Sequence, residues 1–286
     1  MSDLSVMTLG FLKETLGSFR KDGNRAALEE RYLAFFRDVK EAGFGGVDIA
    51  TFEISLLGEA FLKEALSSLS LKAASVIHID CFADETRQKD CLARTFAAME
   101  TAKQLGSPVF MLVPETAKGE RENVFGALAE SFSAAAERAG ELGLLPVFED
   151  FPDRSLGLTR LEEVKKMLER VKGLFLVFDT ANMIFGGEQP LAFLKGMPVE
   201  RIGYVHLKDV VISEERVTAG EYLEDGRRVD AVSAGEGIIP VAELLKELKR
   251  RGYRGGYCAE AAPKEGVPRK AALKAAREYI LNALGE

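Results

Sequence analysis

The stretch LFLVFDTANM, residues 174–183, joins an apolar run to a single acid, Asp179. A short apolar run that follows a glycine and ends in polar residues is typical of a strand buried on both faces, as in a parallel sheet. An amphipathic segment rich in Leu, Glu and Lys precedes this run, and another apolar run follows it. Such alternation predicts parallel strands joined by crossover helices.

The alternation recurs eight times along the chain. Strands are predicted at 4–9, 45–50, 71–79, 108–113, 144–149, 174–179, 202–208 and 255–260, and helices near 25–42, 58–69, 86–105, 121–142, 159–171, 188–197, 240–251 and 267–284. Eight strand–helix units in 286 residues match the (β/α)8 barrel. A doubly wound open sheet is the alternative, but the sequence has no glycine-rich phosphate-binding turn. We therefore expect an α/β fold in which residues 1–286 form a single (β/α)8 TIM barrel domain.

Composition limits the partners and the compartment. The formal charge of −7 disfavours binding to nucleic acid, because the phosphate backbone is also negative. The cysteines Cys81, Cys91 and Cys258 have no CxxC spacing and predict no disulfide framework, which fits a reducing cytoplasm. The N-terminal residues do not resemble a signal peptide, and no apolar run is long enough to span a bilayer. These features predict a cytoplasmic protein that binds neither nucleic acid nor a membrane.

Titratable residues lie where four successive predicted strands end. Glu149, Asp179 and Glu260 end strands five, six and eight, and strand seven carries His206. Active sites of barrels lie at the carboxyl ends of the strands, so these side chains should meet at one mouth. Taken singly, each acid could be a helix cap or an ion-pair partner. Three carboxylates at one mouth would repel each other unless a cation lay between them, so we expect one divalent metal ion: Mn²⁺, Mg²⁺ or Co²⁺ by their preference for oxygen, or else Zn²⁺.

Motifs at these strand ends resemble those of the xylose isomerase-like barrel superfamily, the sugar isomerases and epimerases. The matching stretches are GFGGVDI (43–49), VFED (147–150), FDTAN (178–182), VHLKD (205–209), GEG (235–237) and YCAE (257–260). The resemblance extends over essentially the whole chain. It implies that Glu149, Asp179, His206 and Glu260 bind one divalent metal ion and that, as in the epimerases, the two glutamates exchange protons with a substrate carbon.

Two departures from the family pattern narrow the function. Asn182 stands where many members have a histidine, and an amide can hydrogen-bond a substrate hydroxyl but cannot take up a charge. The chain has only His78 and His206, too few histidines for the three-metal cluster of the family's apurinic endonuclease branch. DNA repair is therefore disfavoured.

Three residues are predicted to contact substrate. His78 stands at the end of strand three, where members often have a substrate-facing histidine, and Asn182 follows strand six. Lys208 shares a strand face with His206 and could reach a carbonyl or carboxylate, although a salt bridge to a neighbouring acid is the alternative. The long segment 209–236 is predicted to form a lid over the mouth.

The resulting hypothesis is a metal-dependent isomerase or epimerase of a small sugar or keto-polyol, with proton transfer at the carbon next to a carbonyl. A dehydratase of the inosose or dehydroshikimate type is an alternative within the same family. A non-catalytic metal- or sugar-binding barrel is the alternative outside enzymes. Because members of this family often pair, a homodimer or homotetramer is expected.

Overall fold

Eight parallel strands close into a barrel in the computed structural model, which describes residues 4–115, 124–217, 221–260 and 266–286. The barrel strands are β1 (Leu4–Met7), β2 (Gly46–Ala50), β3 (Lys72–Asp80), β4 (Val109–Pro114), β5 (Leu145–Glu149), β6 (Phe175–Asp179), β7 (Ile202–Leu207) and β10 (Gly256–Ala259). Around the barrel they follow the order β1-β10-β7-β6-β5-β4-β3-β2. The prediction of a (β/α)8 TIM barrel is confirmed.

Helices surround the barrel. They are α1 (Thr8–Asp22), α2 (Arg25–Glu41), α3 (Thr51–Leu57), α4 (Glu59–Ser68), α5 (Gln88–Gln104), α6 (Val124–Leu142), α7 (Leu161–Arg170), α8 (Pro190–Gly196), α9 (Val241–Arg250) and α10 (Arg269–Leu284). Within the described residues, four short 3-10 turns lie at Glu85–Arg87, Arg154–Leu156, Asn182–Gly186 and Val199–Arg201. None of the helices in the described ranges combines the length and the apolar content needed to cross a bilayer.

Two helices differ from the prediction. The strand predicted at 4–9 ends at Met7, and α1 begins at once with Thr8, whose hydroxyl donates to the Asp48 carbonyl and to Glu53. The helix predicted from 58 is preceded by α3, because Gly58, at φ +81°, separates two helical segments. The sequence-based assignment missed α1 and α3, since both start directly at a strand end without a linker.

Alternation along the strands decides which side chains face the barrel interior. Val177 belongs to the apolar cluster inside the barrel, whereas Leu176 and Phe178 belong to the cluster between the strands and the helices. Because alternate residues of a strand share a face, Asp179 points inward. The same rule places Glu149 with Val147, His206 with Tyr204, and Glu260 with Cys258 on the inner side.

The segment predicted as a lid contains an antiparallel hairpin of β8 (Asp209–Arg216) and β9 (Arg227–Val232). Its base depends on Asp209, which is fully buried. The Asp209 carboxylate accepts four backbone N–H groups at 2.8 to 3.1 Å, from Val210, Gly235, Gly237 and Ile239. The GEG motif is therefore part of the loop that anchors the hairpin.

Replacing Asp209 with Asn should lower the free energy of unfolding by about 2 to 4 kcal/mol, because an amide turns a donor toward buried N–H groups. Gly237→Ala should lower the free energy of unfolding by at least as much, since the added Cβ would lie 2.1 Å from the Val210 carbonyl oxygen. Urea unfolding followed by circular dichroism measures both effects. Glu214→Gln is the control, because its side chain is 91% exposed; equal stability of Asp209→Asn and this control would contradict the anchoring role.

Candidate metal centre and active site

Glu149, Asp179, His206 and Glu260 meet at the carboxyl end of the barrel. One ligand atom from each lies within 4.8 Å of the ligand atoms of the other three. They come from β5, β6, β7 and the residue after β10, which are consecutive around the barrel. The register pairs Asp179 with His206, Glu149 with Val177 and Cys258 with His206, so Asp179 and His206 are level and the two glutamates are each displaced by two residues along their strands.

His206 is the centre of this group. Its Nδ1 atom lies 2.8 Å from Glu149 Oε1 and 3.9 Å from Glu260 Oε2. Burial lowers the pKa of His206, but the carboxylates of Glu149 and Asp48 raise it, and the pKa lies well above its usual value near 6.5. In the metal-free protein, the imidazolium thus compensates part of the negative charge of the acids.

The two carboxylate oxygens of Asp179 have different surroundings. Oδ1 accepts the backbone N–H groups of Ala181 and Asn182 at 2.8 and 2.9 Å, and so caps the short 3-10 turn that follows β6. Oδ2 is buried and has no hydrogen-bond partner among the described residues. Asp179 is therefore a cap through one oxygen, while the other oxygen remains available to a ligand.

Lys208 lies beside the four-residue group. Its Nζ atom is 3.4 Å from Asp179 Oδ2 and 3.5 Å from Glu260 Oε1, and the side chain is buried. Burial lowers the pKa of Lys208, but Asp179 and Glu260 raise it well above its usual value, so the group stays an ammonium. The backbone of Lys208 is fixed by Thr180, whose hydroxyl donates to its carbonyl at 2.6 Å and accepts its N–H at 2.9 Å.

The donor set fits a divalent ion. Three carboxylates carry three negative charges, which the Lys208 ammonium and one divalent ion would balance once His206 binds as a neutral imidazole. Asp179 Oδ2 is a buried oxygen without a hydrogen bond among the described residues, and its charged neighbour there is the Lys208 ammonium at 3.4 Å. Carboxylate oxygens with a single nitrogen suit Mg²⁺, Mn²⁺ or Co²⁺, and Zn²⁺ also accepts such a set.

Asn182 links the ends of β5 and β6. Its side-chain amide donates to the Asp150 carbonyl at 2.8 Å, and Asp150 Oδ1 in turn accepts the Asp179 N–H at 2.9 Å. Burial and the nearby Asp179 raise the pKa of Asp150 well above its usual value, which favours the neutral acid. Asn182 Oδ1 is buried and has no hydrogen-bond partner within the described ranges, and its contact with a substrate hydroxyl stays a prediction.

His78 lies apart from the four-residue group. Ile77 faces the barrel interior, so His78 faces the helices, where its ring contacts Phe82 and Phe110. Its Nδ1 lies 3.1 Å from Thr51 Oγ1. Burial lowers the pKa of His78 to about 4, so the ring is neutral. It lines a separate cavity between β3, α3 and α5, and its contact with substrate stays a prediction.

The hairpin reaches the loop that follows β5. Glu224, between β8 and β9, lies 2.8 Å from Arg160 Nη2 and 3.8 Å from Arg154 Nη1. A cavity of about 530 Å³ lies here, lined by Phe151, Pro152, Asp153, Arg154, Ser155, Phe185, Glu221 and Tyr222. Glu221 also contributes to the field that raises the pKa of Lys208. The lid function of 209–236 remains a prediction, and residues 218–220 lie outside the described part of the chain.

Sequence reasoning missed the supporting residues Asp150, Thr180 and the anchoring role of Asp209. Each directly follows a predicted site residue, namely Glu149, Asp179 or Lys208, so position in the motifs was a usable signal. Their hydrogen bonds join segments that are far apart in the sequence, however, and those partners can be identified only in the folded chain.

Comparison with known proteins agrees with this architecture. A model of the xylose isomerase-like TIM barrel family matches residues 36–283. Inosose dehydratase of Bacillus thuringiensis (strain Al Hakam) is 29% identical over 174 residues, which are 57% of this chain and 56% of that protein. The chain spans little more than half the length of the curated relatives it matches.

Solved structures show the same fold. A xylose isomerase-like TIM barrel protein from Mycobacterium smegmatis, in complex with magnesium, superposes with a TM-score of 0.71 at 13% identity over 99% of this chain and 97% of that one. D-allulose 3-epimerase from Methylomonas sp. superposes with a TM-score of 0.72 at 16% identity over 99% and 98%. At these identities the likeness concerns the fold alone.

The purified protein should bind one divalent ion per chain, with micromolar or tighter affinity. His206→Ala should weaken this affinity by at least about 100-fold, since even a partner of a ligand typically contributes 10- to 100-fold. Glu149→Gln should weaken it less, because an amide oxygen remains. Elemental analysis and Mn²⁺ titration calorimetry measure these changes, and His78→Asn is the matched histidine control. Equal affinity in His206→Ala and His78→Asn would place the ion elsewhere.

Proposed function

Because the chain belongs to the xylose isomerase-like TIM barrel family, we propose that it is a divalent-metal-dependent isomerase or epimerase of a small sugar or keto-polyol. The reaction is proton transfer at the carbon next to a carbonyl. The observation that carries the proposal is the convergence of Glu149, Asp179, His206 and Glu260 at the carboxyl end of the barrel. A metal ion bound by these four residues would polarise the substrate carbonyl and an adjacent hydroxyl.

Glu149 and Glu260 are proposed as the acid and base. They are the outer members of the arc formed by β5, β6, β7 and β10, with Asp179 and His206 between them. A substrate carbon held in front of the arc would therefore have one glutamate on each side. One carboxylate removes the proton and the other returns it: to the opposite face of the same carbon for an epimer, or to the neighbouring carbon for an isomer.

Lys208 and Asn182 are proposed to orient the substrate. The Lys208 ammonium lies beside Asp179 and Glu260, so it can donate a hydrogen bond to a substrate oxygen that gains negative charge. Asn182 offers its unpartnered Oδ1 to a substrate hydroxyl. Phe151 and Phe185, which line the neighbouring cavity, would exclude water from the same region.

Dehydration is the second candidate, and the resemblance to inosose dehydratase favours it. It begins with the same proton removal beside a carbonyl. The difference follows in the next step, in which a hydroxyl on the neighbouring carbon leaves as water after it gains a proton. Lys208, or the glutamate that did not act as base, could supply that proton. Both candidates therefore use the same side chains, and only the product distinguishes them.

Three further proposals concern the protein in the cell. The charge of −7 and the three cysteines, which are free, fit a cytoplasmic protein that acts on a small molecule rather than on nucleic acid. We propose that residues 1–286 act as a single domain. Assembly as a homodimer or homotetramer remains a prediction, which sedimentation velocity measures directly.

Incubation with ketoses, inososes and hydroxypyruvate in deuterated water with Mn²⁺ tests the chemistry. Deuterium should enter the carbon beside the carbonyl of at least one substrate, with an epimer or isomer as product. Loss of one water, seen by mass spectrometry, would instead identify the dehydratase. Absence of both exchange and water loss across the panel would contradict an enzyme and indicate a non-catalytic binding barrel.

Glu149→Gln and Glu260→Gln should each lower the exchange rate by about 100- to 10,000-fold, because an amide cannot accept the proton. Metal binding should persist in both variants, so the loss would be one of chemistry rather than of the ion. Glu214→Gln, on the exposed face of the hairpin, is the matched control and should exchange at the rate of the wild type. Exchange at that rate in both active-site variants would remove the glutamates from the acid–base roles.

A further inference from the structure

A second buried polar group lies inside the barrel, next to His206. It consists of Ser5 on β1, Asp48 on β2 and Tyr204 on β7, all of which are almost completely buried. Tyr204 precedes His206 by two residues, so both side chains share the inner face of β7. Buried polar side chains thus continue from the four-residue site into the barrel interior.

The two oxygens of Asp48 are used unequally. Oδ1 accepts from the Ser5 hydroxyl at 2.5 Å and from the Tyr204 hydroxyl at 3.0 Å. Oδ2 has no hydrogen-bond partner in the described chain and lies 3.7 Å from His206 Nε2. His206 Nε2 also lacks a hydrogen bond there. Two buried polar atoms without partners therefore face each other.

Such a pair is unfavourable unless a proton is shared between the two atoms. A buried polar atom without a hydrogen bond is destabilised relative to the same atom in water. A proton on Nε2 points toward Asp48 Oδ2, and in the neutral imidazole that binds a metal ion it leaves the lone pair on Nδ1. Nδ1 is the ring nitrogen that faces Glu149 and Glu260. The ring would then present its free nitrogen to the group of acids and its N–H to Asp48.

We propose that Asp48 is a positioning residue that holds His206 in the Nε2–H tautomer, so that Nδ1 is the atom that binds the ion. This inference rests on the proposed function. In the metal-free protein His206 Nδ1 lies at hydrogen-bond distance from Glu149, which holds the ring on that side. Once an ion replaces the proton on Nδ1, the remaining N–H can shorten its distance to Asp48. Carboxylates that orient a metal-bound histidine in this way raise the basicity of the ligand.

Ser5 and Tyr204 fix the orientation of the Asp48 carboxylate. Their two hydroxyls hold Oδ1, which leaves Oδ2 turned toward the imidazole. Tyr204 also packs edge-on against the His206 ring, at 5.8 Å between the ring centres. Removal of the Tyr204 hydroxyl should therefore loosen the Asp48 carboxylate without removing its charge.

A second metal ion is the competing explanation. Asp48, His206 and Cys258 also lie close enough to share an ion. That arrangement would use Nε2 of His206 as a ligand atom, together with the Asp48 carboxylate and the Cys258 sulfur. The number of ions bound per chain separates the two explanations.

Calorimetric titration with Zn²⁺ should show one ion per chain and a dissociation constant raised about 10- to 100-fold in Asp48→Asn. Tyr204→Phe should raise it by a few-fold. The matched control is Glu53→Gln, which alters another buried carboxylate, bonded to Tyr32 and Thr8 and outside the four-residue site. Glu53→Gln should lower stability toward urea and leave the affinity within twofold of the wild type.

The imidazole spectrum provides a readout that a merely structural role would not change. The chain has only two histidines, so ¹⁵N-histidine NMR contains two rings, and His78→Asn assigns them. In the Zn²⁺-loaded wild type, Nε2 of His206 should carry a hydrogen-bonded proton and Nδ1 should bind the ion. In Asp48→Asn the Nε2–H signal should move upfield and exchange faster with water.

Three results would overturn the inference: Nε2 bound to the ion with the proton on Nδ1, two ions per chain, or an affinity of Asp48→Asn equal to that of Glu53→Gln. Failure of the proposed function is distinguishable from these results. A wild type that binds no divalent ion would contradict the proposed function. NMR spectra of the metal-free protein would still test the contact between Asp48 and His206 Nε2. If the Nε2–H signal in the metal-free spectra is the same in Asp48→Asn as in the wild type, the positioning role of Asp48 is contradicted.

Discussion

Mutual repulsion of buried carboxylates is the constraint on which the organisation of this barrel mouth depends. Two such charges within 4.8 Å repel by about 3 to 4 kcal/mol at an effective dielectric constant near 20, and three acids meet here. The fold supplies the Lys208 ammonium, the protonated His206 ring and backbone N–H groups to oppose this repulsion. A bound divalent ion would replace the proton of His206 in that role and concentrate positive charge where a substrate oxygen can reach it.

The aspartates of the site divide their two oxygens between folding and chemistry. Asp179 uses one oxygen to cap the turn after β6, and Asp48 uses one for the hydroxyls of Ser5 and Tyr204. In each case the second oxygen is left without a hydrogen bond and points toward the metal-binding group or its histidine. The bonds that hold the first oxygen limit rotation of the carboxylate, so the second is oriented before any ligand arrives. Preorganisation of this kind reduces the free energy needed to assemble a site on binding.

The barrel fold and the position of the four-residue site could be predicted from the sequence, because the pattern of strands and helices and the positions of the titratable residues agree. The alternation of apolar runs with amphipathic segments determines the barrel, and its strand ends determine where Glu149, Asp179, His206 and Glu260 gather. His78 shows the limit of that reasoning. Both neighbours of His78 in SVIHID are isoleucines, so hydrophobicity does not reveal which face of β3 points inward. Asp209 shows a second limit, since three of its four N–H donors lie more than 25 residues further along the chain.

Asn182 connects the fold of the site with its electrostatics. An uncharged amide here donates to the Asp150 carbonyl and thereby joins the ends of β5 and β6. A histidine in its place could add a positive charge beside Asp179 in a region that already contains Lys208 and His206. The amide avoids that addition, so Lys208 and one divalent ion suffice to balance the three carboxylates. The departure from the family pattern is therefore compatible with a metal-binding mouth. Under the proposed function, it leaves Lys208 as the side chain that would stabilise a negatively charged substrate oxygen.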